Sequence, residues 1–153
     1  MSDKPTEREL TDDERQEIVD ELATAQELVL RSTPKDADAD AVVLALRDLV
    51  DSIRDDKRSA PSDLDETGFL AGALLGQAIV DNSRFEWVHL TYASGFESIG
   101  LVAWDRSFVL FPFHYMYELL ADEDKDNTIS TLWEMIRGEQ GPGIVAGAYL
   151  PLS

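Results

Sequence analysis

Phe69–Val80 is the stretch that most limits how this chain can fold: twelve residues in which Gln77 is the only polar side chain. A membrane-spanning helix needs about 20 apolar residues, so a segment this short reads as a helix buried in a protein core. Gly68, Gly72 and Gly76 recur along it at intervals of four. Each glycine inside a helix costs about 1 kcal/mol relative to alanine, and close approach of a neighbouring backbone is the physical compensation. The sequence therefore predicts a central helix, starting near Ser62 and ending near Asn82, with another element pressed against its glycine face.

Aromatic residues sort themselves around this helix. None occurs in residues 1–66, and all thirteen lie between Phe69 and Tyr149. The first part reads as an acidic helical arm over residues 1–58, the second as a denser α+β body over 62–140. The final stretch, 141–153, reads as a docked tail or an added strand after the Gly141-Pro142-Gly143 break. The three parts are expected to form one compact unit, with an apolar share of 44% to build its core.

Within the arm, Thr11-Asp12-Asp13-Glu14 has the form of a capping box. Ile18, Leu22, Ala25 and Val29 follow at 4-3-4 spacing, the stripe of an amphipathic helix. Thr33 and Pro34 read as the start of a second helix, where Val42, Leu46, Leu49 and Ile53 repeat the pattern. Two stripes joined by a short turn predict an antiparallel helical hairpin. In the body, Phe85–Tyr92, Phe96–Trp104 and Phe108–Phe111 read as a three-stranded antiparallel meander, with turns at Ser94-Gly95 and Asp105-Arg106-Ser107. Pro112 closes it, and helices near 113–121 and 128–137 follow.

Charge narrows the partners. Thirty-one acidic against 13 basic residues give a formal charge of −18. Such a field repels phosphate backbones and anionic lipids and attracts cations. No nucleic acid and no membrane are expected as partners; a basic protein is. Composition offers a second origin for the acidity: 18 Asp with 4 Lys and 9 Arg also fits a GC-rich genome or growth in high salt. Cysteine is absent, which excludes disulfides, thiolate metal sites and a cysteine nucleophile. The opening residues carry no apolar signal segment, so a cytoplasmic location is expected.

Candidate chemistry is thin. Asp122, Asp124 and Asp126, followed by Asn127 and Ile129, match part of an EF-hand calcium loop. Trp133 stands where the bidentate Glu should be, and Glu134 comes one residue late. The expected reading is a solvated turn in which Asp126 or Asn127 caps the next helix. Asp36, Asp38 and Asp40 read as carboxylates of a helical first turn. Gly95-Phe96-Glu97-Ser98-Ile99-Gly100 misses the spacing of a nucleophile elbow, and no phosphate loop is present. His89 shares a strand face with Phe85, Trp87 and Thr91 and reads as a core or interface residue. His114 lies beside Tyr115 and Tyr117, where an acid–base pair could form. The aromatic run Phe111–Tyr117 is the strongest interface candidate, with Phe113, Tyr115, Tyr117 and, further on, Trp133 as anchors.

Phe69-Leu70 with Gly72 and Gly76, then Glu86-Trp87-Val88, a glycine-containing hairpin, and Val109-Leu110-Phe111-Pro112-Phe113 together resemble the bacterial family called domain of unknown function 3806. The resemblance covers about residues 66–138. It implies a fold and no activity, cofactor or catalytic residue. The expectation is a non-catalytic, cofactor-free acidic interaction domain (immunity-like, chaperone-like or adaptor). Two alternatives are a calcium- or small-molecule-binding module and a hydrolase or transferase built around His114.

Overall fold

A computed structural model describes residues 4–30, 37–55, 64–122, 124–138 and 145–152. The chain is α+β: β1 Thr6–Arg8, α1 Asp12–Leu28, α2 Ala39–Asp55, α3 Leu64–Asn82, β2 Phe85–Thr91, β3 Glu97–Ala103, β4 Phe108–Leu110, α4 Pro112–Ala121, α5 Ile129–Arg137 and β5 Leu150–Pro151. Among the described residues, no helix is long and apolar enough to cross a membrane.

The expected buried helix is α3, which packs against α1, α2, α4 and α5 and against β2. Its glycine face meets α4 running antiparallel to it. A Cβ on Gly68 would lie 3.0 Å from the Tyr117 Cα, and one on Gly72 would lie 2.7 Å from the Phe113 Cα. A Cβ on Gly76 would press on the Trp87 ring at 2.3 Å. Only hydrogen at Gly68 and Gly72 lets the α4 backbone come this close.

The three-strand meander is part of a larger sheet, in the order β1-β2-β3-β4-β5. The meander itself is antiparallel as expected, with Phe85 opposite Ala103 and Val102 opposite Val109. Two short edge strands extend it. β1 pairs antiparallel with β2, and β5 pairs parallel with β4. The expectation of an added C-terminal strand holds for Leu150–Pro151, whereas the N-terminal strand is a correction to the three-strand reading.

A second correction concerns the helical hairpin. α1 and α2 each dock on α3, so the arm's apolar stripes complete the body's core instead of chiefly sealing one another. The α1 stripe is as expected, and the α2 stripe is widened by Val43 and Val50, with Val42 and Leu49 half-buried against the core. On α1, Ile18 and Ala25 are buried while Leu22 and Val29 are half-buried; on α2, Val43, Leu46, Val50 and Ile53 are buried. The capping box is as expected, with Glu14 N donating to Thr11 Oγ1 at 3.1 Å and Thr11 N to Glu14 Oε1 at 2.9 Å. The Thr33–Pro34 start, the Ser62 cap and the Gly141–Gly143 break fall on residues outside those described. At the described start of α2, Asp38 Oδ1 accepts from Ala41 N at 2.9 Å.

Asp40 has a tertiary task in addition to its place in the first turn. Its Oδ1 accepts from the indole of Trp133 at 2.7 Å and from Arg137 at 2.6 Å, tying α2 to α5. Asp40→Ala is expected to lower stability by about 1–3 kcal/mol, because the buried indole N–H loses its acceptor. Asp40→Asn, which keeps an acceptor, should recover most of that loss in urea denaturation.

Two apolar clusters sandwich the sheet. Leu101, Ala103, Phe108 and Leu110 face the helices and join the main core. The alternate residues Val88, Leu90, Val102 and Val109 form a second cluster on the other face, bordered by Tyr92, Phe111 and Tyr149. Among the described residues no helix contributes to this second cluster, and the sheet curls over it. Edges of a flat five-stranded sheet stand about 19 Å apart, at about 4.8 Å per strand. Yet Tyr149, next to one edge strand, donates its hydroxyl to Glu7 in the other. Arg106 in the β3–β4 turn closes the same ring, reaching Glu7 at 2.8 Å and Glu86 at 2.6 Å. Burial pushes Glu7 up, but hydrogen bonds from Arg106 and Tyr149 outweigh it and hold the carboxyl below its usual range.

Candidate functional site

The residues expected to form an interface separate once the helices are in place. On α4, Phe113 and Tyr117 lie one turn apart against α3, while Tyr115 points to the opposite side. Tyr115 is buried, with its hydroxyl bonded to Thr128 at 2.7 Å. Trp133 is buried between α2 and α5. These two residues are core, which removes them from any docking surface. Tyr117 remains exposed and Phe113 half-buried.

The acidic turn after α4 is organised by internal bonds. Asp122 Oδ1 accepts from Asp124 N at 3.0 Å, and its carbonyl accepts from Arg54 at 3.0 Å. Lys125 brings its own cation, 2.5 Å from Glu118. Asn127, expected as a helix cap, instead donates to the Arg47 carbonyl and to Asp51 on α2, and Thr128 takes the N-cap position. No group of three acidic or imidazole side chains that could hold a metal ion occurs among the described residues.

The histidines sit in different settings. His89 faces the helices with Nδ1 buried and unpaired, and its Nε2 is 4.0 Å from Glu97. His114 is exposed and leans on the rings of Phe96 and Phe111, with centroids 5.7 and 6.3 Å away. A recess of about 220 Å³ beside Phe85, Trp104 and Phe108 has no histidine in its lining. Its Ser107 hydroxyl is committed to Asp105 at 2.6 Å, a bond that helps hold that carboxyl below its usual range.

A different site gathers elements far apart in sequence. α1, α3, α4 and β3 enclose a recess of about 130 Å³ floored by Ile18, Phe69, Ile99 and Phe113. Phe69 and Phe113 stack with centroids 4.4 Å apart, and Phe113 continues the stack onto Trp87 at 5.8 Å. The α1 side of the rim is acidic, with Glu14, Glu17 and Glu21. Glu14 is already neutralised by Arg8 at 2.7 Å, and hydrogen bonds from Arg8 and the Thr11 backbone pull its pKa down to about 2. Glu21 Oε2, by contrast, is shut off from solvent with no hydrogen-bond partner. Burial, reinforced by Glu17 and Asp20, pushes Glu21 up to about 7.

That shift has a sign. Folding favours protonated Glu21, so its contribution is intact below the unfolded value of 4.5 and is lost as pH rises through about 7. Glu21→Gln is therefore expected to stabilise the protein by about 1 kcal/mol at about pH 8, a figure discounted for partial exposure. The gain should vanish near pH 4, which thermal unfolding at the two pH values would show.

Glu17 and Glu21 straddle Ile18 at i, i+4, a like-charge pair that was readable in the sequence; the aromatic floor from α3 and α4 was not. No protein-family model matches this chain. No curated protein matches it, and no solved structure does either.

Proposed function

We propose that this chain is a non-catalytic interaction domain whose partner is a basic protein, met in the cytoplasm of a bacterium. The observation that carries this reading is the recess between α1 and the Phe69–Phe113 stack, where Glu17 and Glu21 meet no cation among the described residues. A field of −18 supports it by drawing basic partners toward the surface. The catalytic alternative lacks comparable support: His89 and His114 have different neighbours, and among the described residues neither is bonded to a serine or threonine hydroxyl.

The likeness to domain of unknown function 3806 belongs to the same proposal. The residues that carry it, Gly72, Gly76, Trp87, Pro112 and Phe113, converge in one packing unit, which supports reading them as a structural signature.

Titration calorimetry with an unstructured lysine- and arginine-rich peptide tests the function. Saturable binding at low ionic strength that fades with added salt is expected. Absence of binding at low ionic strength would reject the proposal.

A further inference from the structure

The geometry points to a single arginine side chain of the partner as the occupant of the α1–α3–α4 recess, its guanidinium laid on the Phe69–Phe113 stack and bridging Glu17 and Glu21. This deepens the proposed function and rests on it. Size comes first. At about 130 Å³ the recess falls well below the roughly 300–1,000 Å³ that encloses a cofactor or drug-sized ligand. It has room for one extended side chain.

Lining chemistry comes next. The floor is apolar and aromatic, with Phe69 41% exposed and so open to an incoming group. An aliphatic stem gains from such a floor, and a planar cation gains further by stacking on an aromatic face. The rim supplies complementary charge. Glu17 and Glu21 are one helical turn apart, about 6 Å between Cβ atoms, a gap that a five-donor guanidinium can bridge. A lysine ammonium is a compact, strongly hydrated point charge that neither stacks nor bridges as well. Glu21 lines the recess, and burial beside the Glu17 and Asp20 charges disfavours its anion, a penalty that a cation in the recess would relieve.

Chemical-shift titration of the whole chain with capped Gly-Gly-X-Gly-Gly peptides tests this, with X as arginine, lysine or citrulline. The arginine peptide should give saturable shifts centred on Glu17, Glu21, Phe69 and Phe113. The lysine peptide should bind about tenfold more weakly, and citrulline, isosteric but neutral, should not bind. Glu17→Gln and Glu21→Gln should each weaken arginine binding about tenfold, while Asp12→Asn in the exposed first turn leaves it unchanged. Equal affinity for arginine and lysine, shifts confined elsewhere, or indifference to both Gln variants would overturn the inference. If the polybasic peptide binds but the arginine peptide leaves the recess unshifted, only the arginine assignment falls. If neither binds, the interaction reading falls with it.

Discussion

Gly72→Ala is expected to lower the unfolding free energy by about 2–4 kcal/mol, even though alanine is the better helix former by about 1 kcal/mol. The new methyl would sit 2.7 Å from the Phe113 Cα, 2.8 Å from the Pro112 carbonyl oxygen and 2.9 Å from the Phe113 nitrogen. All three are backbone atoms, so α4 itself must move, and with it the Phe69–Phe113 stack. The flanking glycines make internal controls. At Gly68 the nearest atom is 3.0 Å away and the rest 3.1–3.2 Å, so strain and propensity should nearly cancel. At Gly76 the obstacle is the Trp87 ring at 2.3 Å, a side chain held by Gln77 at 3.2 Å and by Phe113. The expected order of destabilisation is Gly72 and Gly76 well above Gly68. Thermal unfolding would show the Gly72 variant lower by roughly 5–15 °C for a chain of this size. A Gly72→Ala protein as stable as the parent would mean that α3 and α4 are further apart than described.

Arg106→Ala is the second large effect, at about 2 kcal/mol. The guanidinium satisfies Glu7 through two hydrogen bonds, at 2.8 and 2.9 Å, and Glu86 through a third. Removing it leaves the sparsely exposed Glu7 carboxylate with Tyr149 alone among the described residues. Loss of one partner from a fully buried pair costs 3–5 kcal/mol, and partial exposure of this one brings the figure down. Arg106→Lys should restore less than half, since an ammonium cannot reproduce the fork. Acid adds a signature. Because Glu7 is held below 4.5, the network's stabilisation is present above that value and is lost as pH falls through the lower folded value. The gap between parent and Arg106→Ala in urea midpoint should therefore narrow between about pH 7 and about pH 3.

Local order was legible in the sequence, and long-range order was not. The Thr11–Glu14 box, the hairpin turns and the α3 glycine face depend on residues a few positions apart, and each appears where the spacing puts it. Thr6-Glu7-Arg8 gave no strand signal: three residues, two of them charged, become a strand only because β2 offers an edge some eighty positions later. The aromatic run is continuous in sequence but not in space. Helical periodicity divides it, sending Phe113 and Tyr117 to one side and Tyr115 to the other. Trp133 was readable as core, since Ile129, Leu132, Trp133 and Ile136 form a helical stripe. The recess drew on four elements, so no linear pattern announced it.

The ring formed by Glu7, Arg106 and Tyr149 joins positions from nearly the whole span of the polypeptide. During synthesis, the first strand leaves the ribosome with nothing to pair with until residue 91 follows it. The clasp itself is not complete until residue 149 is free. Completion of the sheet is thus a late event in synthesis, and a nascent fragment ending at residue 138 would hold all the described helices and the Glu7–Arg106 bonds while lacking both β5 and the Tyr149 hydroxyl.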